Sequence, residues 1–257
     1  MILNKKKYFD DGYIKIKNFI PNSIIFGIKE ELSNIIIDTA KSLSLNIKKN
    51  DFNYLIDDIL PRIYKNSKDK GAYIFDVSSR LNIFRDLTNY NKTISVISKL
   101  LNLKKNQIIS AKFSLFLFTK YHKKNAIGWH QESGYYSNPK ENNFQYLKKN
   151  NSLFTWIPIT DTWPGNGALV LMPKSHNEKN IFHNKNLFSK RYEVSPNKRG
   201  EIYIKNLGKI KKKYSKKEIS SKSGDIIFVD SNTLHKSGEN VTNKTRVGII
   251  MRFGERF

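Results

Sequence analysis

The segment SLFTWIPITDTWPGNGALVLMP, residues 152–173, decides the fold that we predict for this chain. Two short apolar runs flank the sequence TWPGNG, in which proline, asparagine and glycine are typical of a turn. Short apolar runs that are bounded by turn residues indicate β-strands. The segment therefore predicts two consecutive strands of a β-sandwich or jelly roll.

Further strand-like segments lie on both sides of this pair. Residues 108–121 alternate and are rich in phenylalanine, as is typical of a sandwich strand. Short apolar runs follow at residues 201–207, 224–230 and 245–253, and each predicts another short strand. Residues 180–199 are the least regular part of the chain, and we predict a long loop near the mouth of the sandwich there.

The N-terminal part of the chain has a different character. Residues 12–21 open with an alternation of isoleucine and lysine, which predicts an edge strand. Residues 22–43 carry apolar side chains at helical spacing, with Asn22 or Ser23 as the expected N-cap. A second helical region is predicted over residues 78–102, with a break near Tyr90 to Lys92.

Helices followed by many short strands predict an α+β fold. We expect a jelly-roll core, also called a double-stranded β-helix, with the N-terminal helices packed on one of its sheets. The sequence shows no internal repeat and no linker rich in proline, glycine or serine. We therefore predict a single domain over residues 1–257.

The composition limits the kinds of site and partner. The absence of cysteine excludes disulfides, zinc–cysteine sites, iron–sulfur clusters and cysteine nucleophiles. The net charge of +24 would suit a polyanion, but the lysines are spread along the chain and greatly outnumber arginine, which planar phosphate and base contacts favour. We interpret the charge as a compositional bias and expect no nucleic-acid partner. The lysine-rich residues 209–218 are interpreted as a solvated loop or hairpin face.

The sequence gives no sign of secretion or of membrane insertion. The N-terminal lysines are not followed by an apolar run with a cleavage site, and no window approaches 18 uninterrupted apolar residues. We therefore predict a cytoplasmic protein without a membrane span.

A candidate metal site begins in the segment AIGWHQESGYY, residues 126–136. If this segment is extended, His130 and Glu132 point to the same face, because side chains alternate along a strand. His235 follows the predicted strand at residues 224–230. Two histidines and one carboxylate on one face of a metal form the facial triad of non-haem Fe(II) oxygenases, which leaves positions open for a co-substrate and O2.

A candidate anion-binding residue follows this set. Arg246 lies eleven residues after His235, at the start of the apolar segment RVGIIMRF. A guanidinium on a core strand requires an anionic partner, since an unpaired buried charge is costly. The planar fork of arginine suits a ligand carboxylate, and Ser237 lies two residues after His235.

These motifs resemble the phytanoyl-CoA dioxygenase family of Fe(II)/2-oxoglutarate oxygenases. The resemblance is carried in order by WHQE, GNGALVLMPKSH, SGDIIFVDSNTLHKSGEN and a TR pair, and it spans residues 108–253. The opening FDDGYIKIKNFIP is also similar to the N-terminal strand and helix entry of the family. No single motif is specific for the family. The set of motifs taken together, in this order and spacing, is specific.

The resemblance implies a role for several residues. It implies that His130, Glu132 and His235 are the iron ligands, and that no catalytic residue acts beyond the metal centre. It implies that 2-oxoglutarate binds near four further side chains, which are Arg246 at its distal carboxylate, Ser237, Trp156 and Lys120.

Glu132 departs from the pattern of the family, which usually has aspartate at this position. The additional methylene moves the carboxylate outward by roughly 1.5 Å. Oxygenases that resemble clavaminate synthase use glutamate there, so iron ligation remains compatible with the sequence. A halogenating relative needs a small residue at this position, and Glu132 therefore argues against halogenation.

The implied activity is hydroxylation of an unactivated C–H bond in a small molecule. Fe(II) is the implied cofactor, 2-oxoglutarate and O2 are consumed, and succinate and CO2 are released. Desaturation or ring closure would use the same site. Lysines around the mouth favour an anionic substrate. Two alternatives stay open, namely a basic nucleic-acid-binding module and an inactive jelly-roll protein that binds a metabolite.

Overall fold

Helices form the N-terminal part of the structure and antiparallel strands form most of the remainder. The computed structural model describes residues 3–78, 80–118, 127–135, 147–148, 150–179, 181, 204 and 206–255, with the backbone alone for residues 112–118 and 135. The described helices are α1 (Lys5–Asp11), α2 (Asn22–Lys41), α3 (Phe52–Tyr54), a π-helix (Leu55–Ile59), α4 (Leu60–Asn66), α5 (Lys68–Ser78), α6 (Asn82–Thr88), α7 (Asn91–Leu101), α8 (Glu132–Tyr135) and α9 (Leu207–Lys213), with 3-10 helices at Lys105–Gln107 and Ser175–Glu178.

The described strands form two antiparallel sheets. The larger sheet has the order β1-β6-β3-β8-β2, and the smaller sheet has the order β5-β4-β7. β1 is an edge strand, as its sequence predicts, because it pairs with β6 alone. The strands are β1 (Tyr13–Ile16), β2 (Ile108–Phe118), β3 (Ser152–Pro158), β4 (Leu169–Leu171), β5 (Lys217–Ile219), β6 (Ile226–Asp230), β7 (His235–Ser237) and β8 (Arg246–Glu255).

The alternation of side chains along β3 and β8 separates two apolar cores. On one face, residues such as Leu153 and Ile249 pack against the N-terminal helices in the main core. On the opposite face, Phe154, Trp156 and Ile250 pack in a smaller core that also contains residues of β4 and β5. Because side chains point alternately to the two faces of a strand, β3 and β8 contribute residues to both apolar cores.

Helix α2 shows how the helices cover the larger sheet. Ile25, Ile28, Leu32 and Ile36 are buried at intervals of three or four residues and belong to the main core. The prediction of an N-cap at Asn22 or Ser23 is wrong, because Pro21 occupies the cap position and no side chain caps the helix. The fixed φ of proline lets it begin the helix without a side-chain cap.

The lysine-rich residues 209–218 differ from the prediction of a loop. Most of the run lies in α9 and β5, and Ile210 is buried against Met172 and Leu234. The lysines themselves are exposed. A single buried isoleucine is enough to hold a helical turn against the body of the protein, while lysine has a good helix propensity.

Two other predictions differ in extent. The predicted strand at residues 201–207 lies mostly outside the described residues, and its last residue, Leu207, begins α9. Residues 180–199, predicted as a loop, also lie outside the described part except for Ile181. The second helical region is divided into α6 and α7, and the break at residues 89–90 lies close to the predicted one. Among the helices described, none is long and apolar enough to cross a lipid bilayer.

Candidate metal centre

Three side chains from two distant parts of the chain converge at one buried point. His130, Glu132 and His235 each offer a ligand atom, and these atoms lie within 4.8 Å of one another. The Oε1 atom of Glu132 lies 3.8 Å from Nε2 of His130 and 3.7 Å from Nε2 of His235. The exposed fractions of the three residues are only 3%, 1% and 2%, in that order.

The backbone brings these residues together in a different way from the one predicted. His130 forms an isolated antiparallel bridge with His235, with N–H···O distances of 2.9 and 3.0 Å. Glu132 does not continue in an extended conformation, because it is the first residue of the short helix α8. The prediction that His130 and Glu132 share the face of a strand is therefore wrong, and a bend after the bridge turns the carboxylate toward the two imidazoles.

The orientation of both imidazole rings is fixed by the backbone. Nδ1 of His130 lies 2.7 Å from the carbonyl oxygen of Gly128, and Nδ1 of His235 lies 3.0 Å from that of Thr233. A carbonyl can only accept a hydrogen bond, so each Nδ1 carries the proton and each Nε2 presents a lone pair toward Glu132. Protein ligands of metal ions commonly have this arrangement.

The cluster fits a divalent transition metal. Nε2 of His235 is buried and has no hydrogen-bond partner among the residues that the structure describes. Burial, reinforced by the neighbouring His235, lowers the pKa of His130 to about 4, so its imidazole is neutral at neutral pH. Two imidazoles and one carboxylate are a donor set that suits Fe(II).

Arg252 is a residue of this site that the sequence reasoning missed. Its Nε donates to Oε2 of Glu132 at 2.7 Å, and its Nη2 lies 3.2 Å from Oε1. Burial raises the pKa of Glu132, but Arg252 and the two histidines outweigh it and hold that pKa well below its usual range. The sequence spacing could have indicated this residue. Arg252 lies six residues after Arg246, and an even spacing along a strand places both side chains on the same face of β8.

Arg246 is buried on the face of β8 that lies toward the smaller core. Its Nη1 donates to the carbonyl oxygen of Gly167 at 2.7 Å, and its guanidinium lies 4.8 Å from the centre of the Trp156 ring. Burial lowers the pKa of Arg246 to about 9. Nε1 of Trp156 is buried and forms no hydrogen bond within the described part of the chain. Arg246 and Trp156 therefore place donors beside each other in one buried region.

Ser237 reaches the same region from the smaller sheet. It is half-buried in β7, and its backbone pairs with Leu169 of β4. The next residue, Gly238, donates from its backbone N–H to the carbonyl oxygen of Ala168 at 2.8 Å. Ala168 follows Gly167, the residue that Arg246 contacts, so Ser237 lies close to Arg246 in the fold. Lys120 lies outside the described residues.

Gln131 is a second residue that the sequence reasoning did not single out. It is fully buried between His130 and Glu132, and its Nε2 donates to the carbonyl oxygen of Asn232 at 2.5 Å. Its Oε1 accepts a hydrogen bond of 2.9 Å from the backbone of Ile181. Gln131 therefore ties the segment that carries two of the candidate ligands to the segment that leads to His235.

A jelly-roll core with two histidines, one carboxylate and a buried arginine defines the class of Fe(II)/2-oxoglutarate-dependent oxygenases. The sequence profile described as Phytanoyl-CoA dioxygenase (PhyH) matches residues 8–248, and the chain therefore belongs to this family. The resemblance stated from the sequence is confirmed, and the chain is an enzyme of this class. No curated protein matches the chain by sequence.

Solved structures with similar folds belong to the same class. The structure described as EctD from S. alaskensis with 2-oxoglutarate and 5-hydroxyectoine has a TM-score of 0.65 and 14% identity, over 99% of this chain and 76% of that one. The epimerase SnoN in complex with Fe3+, alpha ketoglutarate and nogalamycin RO has a TM-score of 0.64 and 11% identity, over 98% and 82%. The carbocyclase SnoK from nogalamycin biosynthesis has a TM-score of 0.54 and 11% identity, over 98% and 82%.

These identities are low, so the likeness concerns the fold. It confirms the predicted mixed α and β architecture with a double-stranded β-helix core.

Proposed function

We propose that this chain is a hydroxylase that acts on an unactivated C–H bond of a small molecule, with Fe(II) held by His130, Glu132 and His235. The observation that carries the proposal is the convergence of these three ligand atoms within 4.8 Å, deep in the protein. When bound, iron and 2-oxoglutarate would supply the oxidising chemistry, with O2 consumed and succinate and CO2 released. The protein binds and orients the reactants.

The orientation of the ligands supports the binding of a metal. Both Nε2 lone pairs face Oε1 of Glu132, while both Nδ1 atoms are occupied by backbone carbonyls. The ring of Phe154 lies 4.4 Å from that of His235 and covers one side of the cluster. This apolar cover excludes water from the imidazoles and limits their movement.

Arg246 is the residue that we propose for the distal carboxylate of 2-oxoglutarate. Its guanidinium is buried and is aligned by Gly167 and Trp156, and a planar fork matches a carboxylate with two parallel hydrogen bonds. Nε1 of Trp156 is a second buried donor beside it. We assign Ser237 to the same carboxylate, and we retain Lys120 as a co-substrate residue on the resemblance alone.

The substrate that we propose is anionic. Lys236, the residue after His235, lies with its Nζ 5.6 Å from the centre of the ring of Trp129, the residue before His130. Because neighbouring side chains of a strand point to opposite faces, this cation lies on the other face of the bridge from the imidazoles, and the proposal rests on the net charge of +24. If this charge and the surrounding lysines attract the substrate, its KM should rise steeply with salt, whereas a flat response would remove the proposal.

We further propose that residues 1–257 form one domain that acts in the cytoplasm, and that nucleic acid is not a partner. The related structures include an epimerase and a carbocyclase. Hydroxylation must therefore be tested against epimerisation and ring closure, which are the other reactions that such a site could perform. An inactive metabolite-binding protein is disfavoured because the buried donor set is intact.

The experiment that tests this function is the O2-dependent formation of succinate from 2-oxoglutarate, together with the transfer of an oxygen atom from labelled O2 to the product, which epimerisation and ring closure would lack. Fe(II)-loaded wild-type protein should form succinate slowly without a primary substrate. It should form succinate faster with a compound that it hydroxylates. His130→Ala and His235→Ala should form none. His176→Ala is the control, because this histidine contacts the carbonyl oxygen of Phe9 and is not one of the candidate ligands. Wild-type protein that forms no succinate with iron and O2 present would contradict the proposal.

A further inference from the structure

We infer that Arg252 is a positioning residue, which holds Oε2 of Glu132 so that Oε1 alone faces the metal. The inference rests on the proposed function, because it concerns the carboxylate of the same metal site. It assigns a task to a residue that does not contact the metal, the co-substrate or the reacting atoms.

The two carboxylate oxygens of Glu132 have different neighbours. Oε2 accepts the short hydrogen bond of 2.7 Å from Nε of Arg252. Oε1 is 3.2 Å from Nη2 of Arg252 and lies 3.7 to 3.8 Å from the Nε2 atoms of His235 and His130. The arginine therefore holds one oxygen closely and leaves the other toward the histidines.

A glutamate at this position needs such a restraint more than an aspartate does. Its additional methylene adds one rotatable bond between the backbone and the carboxylate. A guanidinium that contacts both oxygens fixes the plane of the carboxylate, since the fork of arginine is rigid and planar. Arg252 itself is 4% exposed and lies in β8 between β3 and β2, so it is held on a rigid element.

The restraint affects how much of the metal remains open. A carboxylate that binds through both oxygens takes up a coordination position that a chelating co-substrate or O2 needs. With Oε2 held by Arg252, Glu132 can offer a single oxygen. Because Arg246 lies on the same strand, β8 would then orient the carboxylate of the protein and that of the co-substrate together.

A merely structural salt bridge would have a different experimental signature. Removal of one partner of a buried ion pair destabilises a protein whether or not a metal site is involved. A positioning residue also changes the affinity for the metal, and partners of this kind typically contribute tenfold to a hundredfold. Metal affinity must therefore be measured separately from the melting temperature.

The test is an anaerobic titration of the full chain with Co(II), followed by visible absorption and calorimetry, before and after addition of 2-oxoglutarate. Arg252→Lys keeps the charge but lacks the fork, and Arg252→Met removes both. We expect the Kd for Co(II) to rise about tenfold in the first variant and up to about a hundredfold in the second. Arg62→Met, which removes a surface arginine paired with Asp58, is the control and should match the wild type.

The outcomes distinguish the positioning role of Arg252 from the proposed function. Co(II) binding within twofold of the wild type in folded Arg252→Lys overturns the inference, even if its melting temperature falls, and leaves the proposed function intact. Wild-type protein that binds no Co(II) overturns both. If Arg252→Met does not fold, Arg252→Lys and its circular dichroism spectrum carry the test alone.

Discussion

His130 and His235 exchange both of their backbone hydrogen bonds, at 2.9 and 3.0 Å, although they lie far apart in the sequence. This bridge aligns the two imidazoles side by side, with ring centres 4.0 Å apart. The backbone bridge, together with the contacts of the two Nδ1 atoms with the carbonyl oxygens of Gly128 and Thr233, holds the two rings next to each other.

Glu132→Gln should abolish tight metal binding and destabilise the protein. The substitution removes the charged ligand and leaves the buried guanidinium of Arg252 opposite a neutral amide. Breaking a buried ion pair costs about 3–5 kcal/mol, so we expect a loss of that order in the free energy of unfolding. Urea unfolding and metal titration measure the two effects, and Glu239→Gln, at an exposed position, is the control. Unchanged metal affinity would exclude Glu132 as a ligand.

Arg246→Met should weaken 2-oxoglutarate binding without a comparable loss of metal. Hydrogen bonds to charged groups contribute about 1.5–3 kcal/mol, so the Kd for 2-oxoglutarate should rise at least about tenfold. Calorimetry of metal-loaded protein measures this change. A variant that loses the metal but binds 2-oxoglutarate normally would show that Arg246 acts elsewhere.

Gly248→Ala should disturb the co-substrate region through Trp156. A methyl group at Gly248 would collide with the indole ring, which packs against this glycine beside Arg246. Overpacking costs about 1–3 kcal/mol, and the displaced ring should also weaken 2-oxoglutarate binding. Gly208→Ala in α9 is the control, because its methyl group would meet nothing within 4 Å. Equal stability and 2-oxoglutarate affinity in the two variants would refute the proposed contact.

Acid should destabilise the metal-free protein through His130. Burial lowers the pKa of His130 from its usual 6.5 to about 4. Between these two pH values, His130 is therefore protonated in the unfolded chain and neutral in the folded protein. The free energy of unfolding should therefore fall as pH decreases from about 6.5 to 4, by about 3 kcal/mol in total from this residue. Urea unfolding of wild type and His130→Gln measures the difference. Parallel pH curves would contradict the shift.

The fold could be predicted further than the local geometry of the site. Apolar periodicity and turn residues predicted β1, α2, β3 and β8, because these long patterns match the faces that become buried. β5 and β7 were missed, since their residues are mostly charged or polar and each strand depends on pairing with β4. β4 is equally short, but its residues are all apolar and form the run that predicted a strand.

The candidate site shows the same limit. A histidine and a glutamate two residues apart indicate one shared face only if the segment is extended, and α8 begins at Glu132 instead. The contact between Glu132 and Arg252 depends on how α8 meets β8 in three dimensions. Sequence parity places Arg252 on the face of Arg246, but it does not identify the partner of Arg252.

The central claim is that a single iron is held by His130, Glu132 and His235 and is chelated by 2-oxoglutarate. Anaerobic addition of Fe(II) and 2-oxoglutarate tests it most directly, through the weak visible band of charge transfer from metal to ligand. We predict a band that saturates at one iron per chain in the wild type and is absent in His130→Ala and His235→Ala. No band in the folded wild type, or an undiminished band in either variant, would contradict the account.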